Sequence, residues 1–155
     1  TTKKRLNEVE EMVEKTKKEG AKVLLGGKRP SGFNKGFYYE PTIFDEVKDD
    51  YTIMKVEPFG PLVPILSFKS FDEVIERANN NDLGLCSYIC TNSMEKAHRA
   101  SELMESGTVA VNTPLVALAE APFGGIKQTG YGREGGSMAI KDYLNIKYTH
   151  LGLKG

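Results

Sequence analysis

Between Leu62 and Val111 short β-type runs alternate with two amphipathic helical stretches, and this alternation constrains the fold more than any other feature of the chain. Leu62 to Phe68 reads as a strand. Ser70-Phe71-Asp72-Glu73 is a capping box, with serine at the N-cap and glutamate three residues on. Phe71, Val74, Ile75 and Ala78 then recur at helical spacing and mark one face for burial. Leu85 to Thr91 is the next strand, and Asn92 with Glu95 gives a second helix start. Met94, Ala97, Ser101 and Met104 form the buried face of that helix, Gly107 ends it, and Val109 to Val111 is a third strand. Links this short argue parallel pairing with right-handed crossovers. The expected class is α/β: an open, mostly parallel sheet with a βαβαβ core.

The rest of the chain is read around that core. Leu6, Val9, Val13 and Thr16 recur at helical spacing through Lys3 to Glu19, with Gly20 as the stop. Val23 to Leu25 is a short strand closed by Gly26-Gly27. Arg29 to Lys35 is a turn-rich loop. Phe37 to Phe44 is extended and aromatic, and Asp45 to Met54 is a turn or one short helix. Asn112 to Gly125 is a long loop leaving the carboxyl end of the third strand, where open α/β folds place ligands. Its stretch Pro114 to Ala119 is unusually apolar for a surface loop. Ser137 to Tyr143 suggests a last helical turn, and the alternation of Ile146, Tyr148 and His150 with Lys147, Thr149 and Leu151 reads as a terminal strand.

Composition narrows the partners. The 155 residues carry 21 Lys plus Arg against 21 Asp plus Glu, so no overall charge draws the chain to nucleic acid or to a membrane surface. No apolar run approaches a membrane span, and Thr1-Thr2-Lys3-Lys4-Arg5 lacks the apolar core of a secretory signal. The two cysteines, Cys86 and Cys90, share one face of a strand at about 13 Å, at ~3.3 Å per residue, too far for a bond between them. Too few further ligands cluster near them for zinc. They are expected to be buried and reduced, in a cytoplasmic protein. His98 and His150 have no neighbouring acid or nucleophile in sequence.

Two further runs carry chemistry. Val56-Glu57-Pro58-Phe59-Gly60-Pro61 holds an acid and an aromatic between two prolines, which fix φ and remove donors. A carboxylate on such a stiff turn can accept two hydroxyl hydrogen bonds, as a ribose offers. The second run is Ala121-Pro122-Phe123-Gly124-Gly125-Ile126-Lys127-Gln128-Thr129-Gly130-Tyr131-Gly132-Arg133-Glu134. In this order the pair resembles the C-terminal part of the NAD(P)-dependent aldehyde dehydrogenases. Gly36 to Phe44, Gly107 to Asn112 and Lys141 to Tyr148 extend the resemblance over nearly the whole chain. Within the family, APFGGIKQTGYGREGG and DYLNIKY are most similar to the succinate-semialdehyde dehydrogenase type.

The resemblance implies roles. Glu57 would hold the hydroxyls of the nicotinamide ribose of NAD or NADP, and Phe59 would pack beside the nicotinamide ring. Phe123, with Leu115 and Ala117 of the apolar loop, would line the path of a small-molecule aldehyde. From the residues themselves, Asn112 is expected to fix the loop root through side-chain bonds to backbone, and Arg133 and Glu134 to form a structural pair. Glu57 to Pro61 enters the first strand of the core and Asn112 to Gly125 leaves the last, at opposite edges of a parallel sheet; cofactor and aldehyde would approach the nucleophile from opposite sides. A serine of the succinate-semialdehyde type, which binds the distal carboxylate, is replaced here by Ala117, so an uncharged aldehyde is a live alternative.

The family's cysteine nucleophile, glutamate base and cofactor domain precede the Glu-x-Phe-Gly-Pro motif and would fall before Thr1. No catalytic residue and no metal ligand is therefore assigned in this chain. Residues 1–143 are expected to be the C-terminal part of a catalytic domain partnered by an absent N-terminal cofactor domain. Residues 144–155 are expected to be an oligomerisation strand and tail of a homo-oligomer. The reading from another class is a stand-alone, non-catalytic interaction module built on the same fold. The reading frame upstream of Thr1 separates the two.

Overall fold

A computed structural model describes residues 2–153, which divide into two compact units between Phe68 and Lys69. The first unit opens with α1 (Lys3–Lys18), whose N-cap Thr2 accepts a hydrogen bond from the Arg5 amide. Its buried residues are Leu6, Val9, Val13 and Thr16, the face expected from their spacing. The Thr16 hydroxyl, on that apolar face, is satisfied by donating to the Met12 carbonyl at 2.8 Å. Then follow β1 (Lys22–Leu25), β2 (Thr42–Asp45), the single turn α2 (Thr52–Lys55) and β3 (Leu62–Pro64). The sheet order is β1-β2-β3, antiparallel at the first pair and parallel at the second. Val9, Val13, Ala21, Phe44, Val47, Tyr51, Ile53 and Leu62 form one buried cluster beneath it. Phe44 is its centre at 0% exposure, and burying such a side chain stabilises by roughly 1.5–3 kcal/mol.

The second unit contains α3 (Phe71–Asn79), β4 (Leu83–Gly84), β5 (Cys86–Ile89), α4 (Met94–Leu103), β6 (Thr108–Val111), β7 (Ile126–Lys127) and a 3₁₀ turn at Ala139–Tyr143. β5 and β6 pair in parallel, joined through α4, so one βαβ crossover stands as expected. β4 and β7 form a separate antiparallel pair. Ser70 caps α3 by accepting from the Glu73 amide at 3.2 Å, while Glu73 reaches back to the Lys69 amide at 2.8 Å.

The class is α/β, as expected, with its strands in three small sheets, one mixed, one antiparallel and one parallel, rather than one open sheet. The expected βαβαβ core is divided at its first strand. β3 ends at Pro64 and is entered from Pro61, and neither proline has an amide to donate. A strand so stripped of donors takes an edge position, which β3 does, paired with β2. β3 and β6 thus belong to different sheets, and the expected placement of two binding segments at opposite edges of one sheet has no counterpart.

Other details differ as well. α4 is capped by Ser93, whose Oγ accepts from the Lys96 amide, not by Asn92. The inward side of α4 is Ala97, Ala100 and Met104, at spacings of three and four; Met94 and Ser101 are exposed. On α3, Phe71, Val74 and Ile75 are half-buried and Ala78 is exposed. Cys86 is half-buried and Cys90 exposed, because β5 has only β6 beside it; both thiols are free. Residues 144–153 form no strand: Ile146 is 102% and Tyr148 84% exposed, since a strand exists only where a ladder partner does and this stretch has none among the described residues.

Candidate functional site

The turn at Glu57 to Pro61 is built by its own residue types and by its seat on α1. Phe59 adopts φ 40°, in the left-handed region, between Pro58 and Gly60. Gly60 has no room for a side chain: a Cβ there would lie 2.6 Å from Val9 Cγ2. The turn is closed by the Leu62 amide donating to the Gly60 carbonyl at 2.8 Å, and is tied to β2 by the Thr42 amide donating to the Pro61 carbonyl at 2.8 Å. This leaves the Phe59 ring 70% exposed and Glu57 exposed two residues before it. The Arg5 guanidinium lies 5.8 Å from the centre of the Phe59 ring, so one ring face has a cationic neighbour. Arg5 gave no sequence signal, because the contact spans more than fifty residues.

In the second unit the loop from Asn112 leaves β6 and returns at Gly124. A Cβ on Gly107 would fall 1.9 Å from the Gly124 carbonyl oxygen, so the loop's end passes directly over the start of β6. Asn112 holds the root as expected. Its Oδ1 accepts from the Thr91 amide at 2.9 Å and its Nδ2 donates to the Thr91 carbonyl at 2.8 Å. The Thr113 hydroxyl then accepts from the Leu115 amide at 3.1 Å. Leu115 is 69% and Leu118 52% exposed, and Ala117 is exposed between them.

Phe123 is half-buried and pairs with Glu134 by two backbone hydrogen bonds of 2.7 Å. It lines an open hollow of about 640 Å³ with Leu85, Tyr131, Arg133, Asp142 and Tyr143. Leu115 and Ala117 are not among the residues around this hollow. Arg133 is structural, but through carbonyls: Nη1 donates to Gly125 O at 2.9 Å and Gly132 O at 2.7 Å, and its amide donates to Asp142 Oδ2. Lys127 was not expected to matter. Its ammonium donates to the carbonyls of Asn79 and Asn81 and meets Glu105 Oε2 at 2.6 Å. Glu57 and Phe59 thus stand together on one turn, while the three residues expected on the aldehyde side stand on a separate unit, Phe123 at its hollow and Leu115 and Ala117 on the open loop.

Among the described residues no cluster of His, Cys, Asp and Glu could hold a metal ion, and no helix is long and apolar enough to cross a membrane.

Comparison with known proteins identifies the arrangement. Retinal dehydrogenase 2 of Mus musculus is 46% identical over 145 residues, 94% of this chain and 28% of the mouse protein. The mitochondrial succinate-semialdehyde dehydrogenase of Arabidopsis thaliana is 43% identical over 148 residues, 95% of this chain and 28% of that protein. Among solved structures, the NAD+ complex of the Bacillus cereus aldehyde dehydrogenase superimposes with a TM-score of 0.94 at 43% identity, covering 99% of this chain and 31% of that one. The chain therefore spans somewhat under a third of the length of these relatives. The profile of the aldehyde dehydrogenase family matches residues 1–149, and the chain belongs to that family.

Proposed function

We propose that this chain is the C-terminal part of the catalytic region of an NAD(P)-dependent enzyme that oxidises an aldehyde to a carboxylic acid in the cytoplasm. Glu57 and Phe59 face the cofactor, and Phe123, Leu115 and Ala117 face the aldehyde. Residues 144–155 pair with a second copy. The observation that carries the reading is Phe59, a bulky residue held at φ 40° with its ring in solvent beside an exposed carboxylate. Such a conformation costs on the order of 1–3 kcal/mol and persists only where the surroundings enforce it. A turn needing only to reverse the chain would carry a glycine at position 59.

The residues present suit a nicotinamide dinucleotide. The Glu57 carboxylate is acceptor-only and matches a ribose diol, which offers two donors. The Phe59 ring presents a flat apolar face to a heteroaromatic ring. When bound, the nicotinamide supplies a hydride acceptor for the aldehyde carbon. This chain's part is to hold the ribose at Glu57, limit the ring's tilt at Phe59, and select the aldehyde with the apolar loop. The thiolate nucleophile and the general base come from outside the 155 residues; Cys86 and Cys90 lie downstream of the cofactor turn and do not serve.

For the aldehyde, the run from Ala121 to Gly136 and the Arabidopsis relative favour succinate semialdehyde. The exposed Leu115 and Leu118, with an alanine between them, favour an uncharged one. The test is direct. The 155-residue chain, given NAD, NADP and an aldehyde panel including succinate semialdehyde, should form no reduced cofactor above a heat-treated control. A longer polypeptide containing it should. Turnover by the 155 residues alone would overturn the placement of the nucleophile, and an inert longer polypeptide would overturn the function.

A further inference from the structure

The parallel ladder between β5 and β6 does something unusual where it ends. Cys86 is opposite Thr108 and Ile89 opposite Val111. The Thr108 amide donates to the Leu85 carbonyl at 3.0 Å, and four residues on the Asn112 amide donates to the Ile89 carbonyl at 2.8 Å. Continued in step, the next rungs would join the Thr91 amide to the Asn112 carbonyl, and the amide of residue 114 to the Thr91 carbonyl. Neither forms. Residue 114 is proline and has no amide to give. Asn112 adopts φ 55°, and the backbone leaves the strand there.

Both missing rungs are replaced by one side chain. Asn112 Oδ1 stands in for its own carbonyl as acceptor of the Thr91 amide, at 2.9 Å, and Nδ2 stands in for the amide that Pro114 lacks, at 2.8 Å. Asparagine suits this place on two counts: it tolerates the left-handed region better than other residues with a side chain, and its amide carries the donor and acceptor of a peptide group. Immediately after it, the Thr113 hydroxyl captures the Leu115 amide, so the position of Leu115 follows from the direction in which Asn112 sends the chain.

We propose that Asn112 is a positioning residue for substrate selection: its amide substitutes for two strand rungs, which lets the backbone turn off β6 at a set angle and carries Leu115 and Ala117 to the aldehyde. This rests on the assignment of that loop to the aldehyde. It makes selectivity between aldehydes depend on a residue that touches none of them.

Asn112→Gly isolates the claim, because glycine accepts φ 55° without strain but removes both replacement bonds. In the longer polypeptide, hydrogen exchange at the Thr91 amide should accelerate about tenfold, the equivalent of one net hydrogen bond. The ratio of kcat/KM between a short and a bulky uncharged aldehyde should change by about tenfold, through KM more than kcat, since a 1 Å misplacement can cost on the order of 10²-fold. The cofactor KM and the melting temperature should stay near those of the unmodified protein. Asn112→Asp, which keeps the acceptor but turns a second oxygen toward the Thr91 carbonyl, should fall between. Faster exchange at Thr91 with an unchanged selectivity ratio would overturn the positioning role and leave a purely structural one. If the unmodified protein oxidises no aldehyde, the functional reading itself fails, and that is seen before any variant is made.

Discussion

The chain up to Phe68 and the chain from Lys69 onward hold their shapes by different means. In the first, eight apolar side chains from α1, β2, α2, β3 and their connections close on one another in a single buried cluster. In the second, Ala100 and Ala110 are the buried hydrophobic residues, while Tyr131, Tyr143 and Leu115 stand largely in solvent. What fixes the second unit is side-chain bonding to backbone. Lys127 gathers the carbonyls of Asn79 and Asn81. Asn79 itself spans the Leu103 carbonyl and the Glu105 amide. Arg133 holds Gly125 and Gly132, and Asn112 holds Thr91. Polar bonds set geometry sharply but contribute little net stability, about 0.5–1.5 kcal/mol each. The first unit is built to be stable and to hold out one stiff turn. In the second, such bonds set the directions of its loops.

Removing the centre of the first unit should have the largest effect. Phe44→Ala leaves a cavity at a site with 0% exposure, and such truncations cost about 3–5 kcal/mol. Thermal unfolding followed by circular dichroism should show the first unit melting far below its unmodified temperature. A shift of only a degree or two would mean that the cluster is not what holds it. Lys127→Met keeps the length of the side chain but leaves two carbonyls and the Glu105 carboxylate without their cation. The expected cost is smaller, about 1–3 kcal/mol, and should register in the second unit as faster amide exchange from Asn79 to Leu83. Uniform acceleration over both units would blur the contrast.

The smallest expected effect is a pH dependence. Glu19 accepts from the Thr52 hydroxyl at 2.6 Å and from the Thr52 amide at 3.0 Å, and these bonds, the hydroxyl's foremost, hold its carboxyl below the ordinary 4.5. Glu73, in the second unit, is lowered chiefly by the Lys69 amide. A carboxylate lowered on folding lends stability that is complete above 4.5 and disappears as pH falls through the folded value. Both units should thus weaken as the solution is acidified below that point. Glu19→Gln should make the profile of the first unit shallower, leaving the part that Glu10 supplies beside Arg29, and leave that of the second unchanged.

Much of the first unit was legible because its determinants are local. The α1 stripe from Leu6 to Thr16 is a pure periodicity, and it is buried as read. Ser70 as a cap and Asn112 as a loop root also follow from what those side chains can reach within or beside their own element. The errors have non-local causes. β3 was joined to the wrong sheet because the weight of Pro61 and Pro64 is felt only when a second strand must pair there. The inner side of α4 agrees at Ala97 and Met104 and differs at its other two positions: Ala100 is buried where Ser101 is expected, and Met94 is 73% exposed. Residues 144–153 are a separate case: their alternation calls for a ladder partner, and pairing with a second copy stands as proposed above. The left-handed Phe59 and the Arg5 beside it have no sequence signature, so the turn at Glu57 to Pro61 is legible as a motif while its conformation is not.

The proposed division of labour between the two units, cofactor on the first and aldehyde on the second, is tested most directly by Glu57→Gln in a polypeptide that turns over. The substitution keeps size and removes the charge from hydrogen bonds each worth about 1.5–3 kcal/mol. Transient kinetics should then show cofactor binding weakened by about tenfold or more and hydride transfer slowed, with the aldehyde KM and the melting temperature nearly unchanged. Cofactor affinity and hydride transfer rate equal to those of the unmodified protein would contradict the account and leave Glu57 an ordinary residue of a turn.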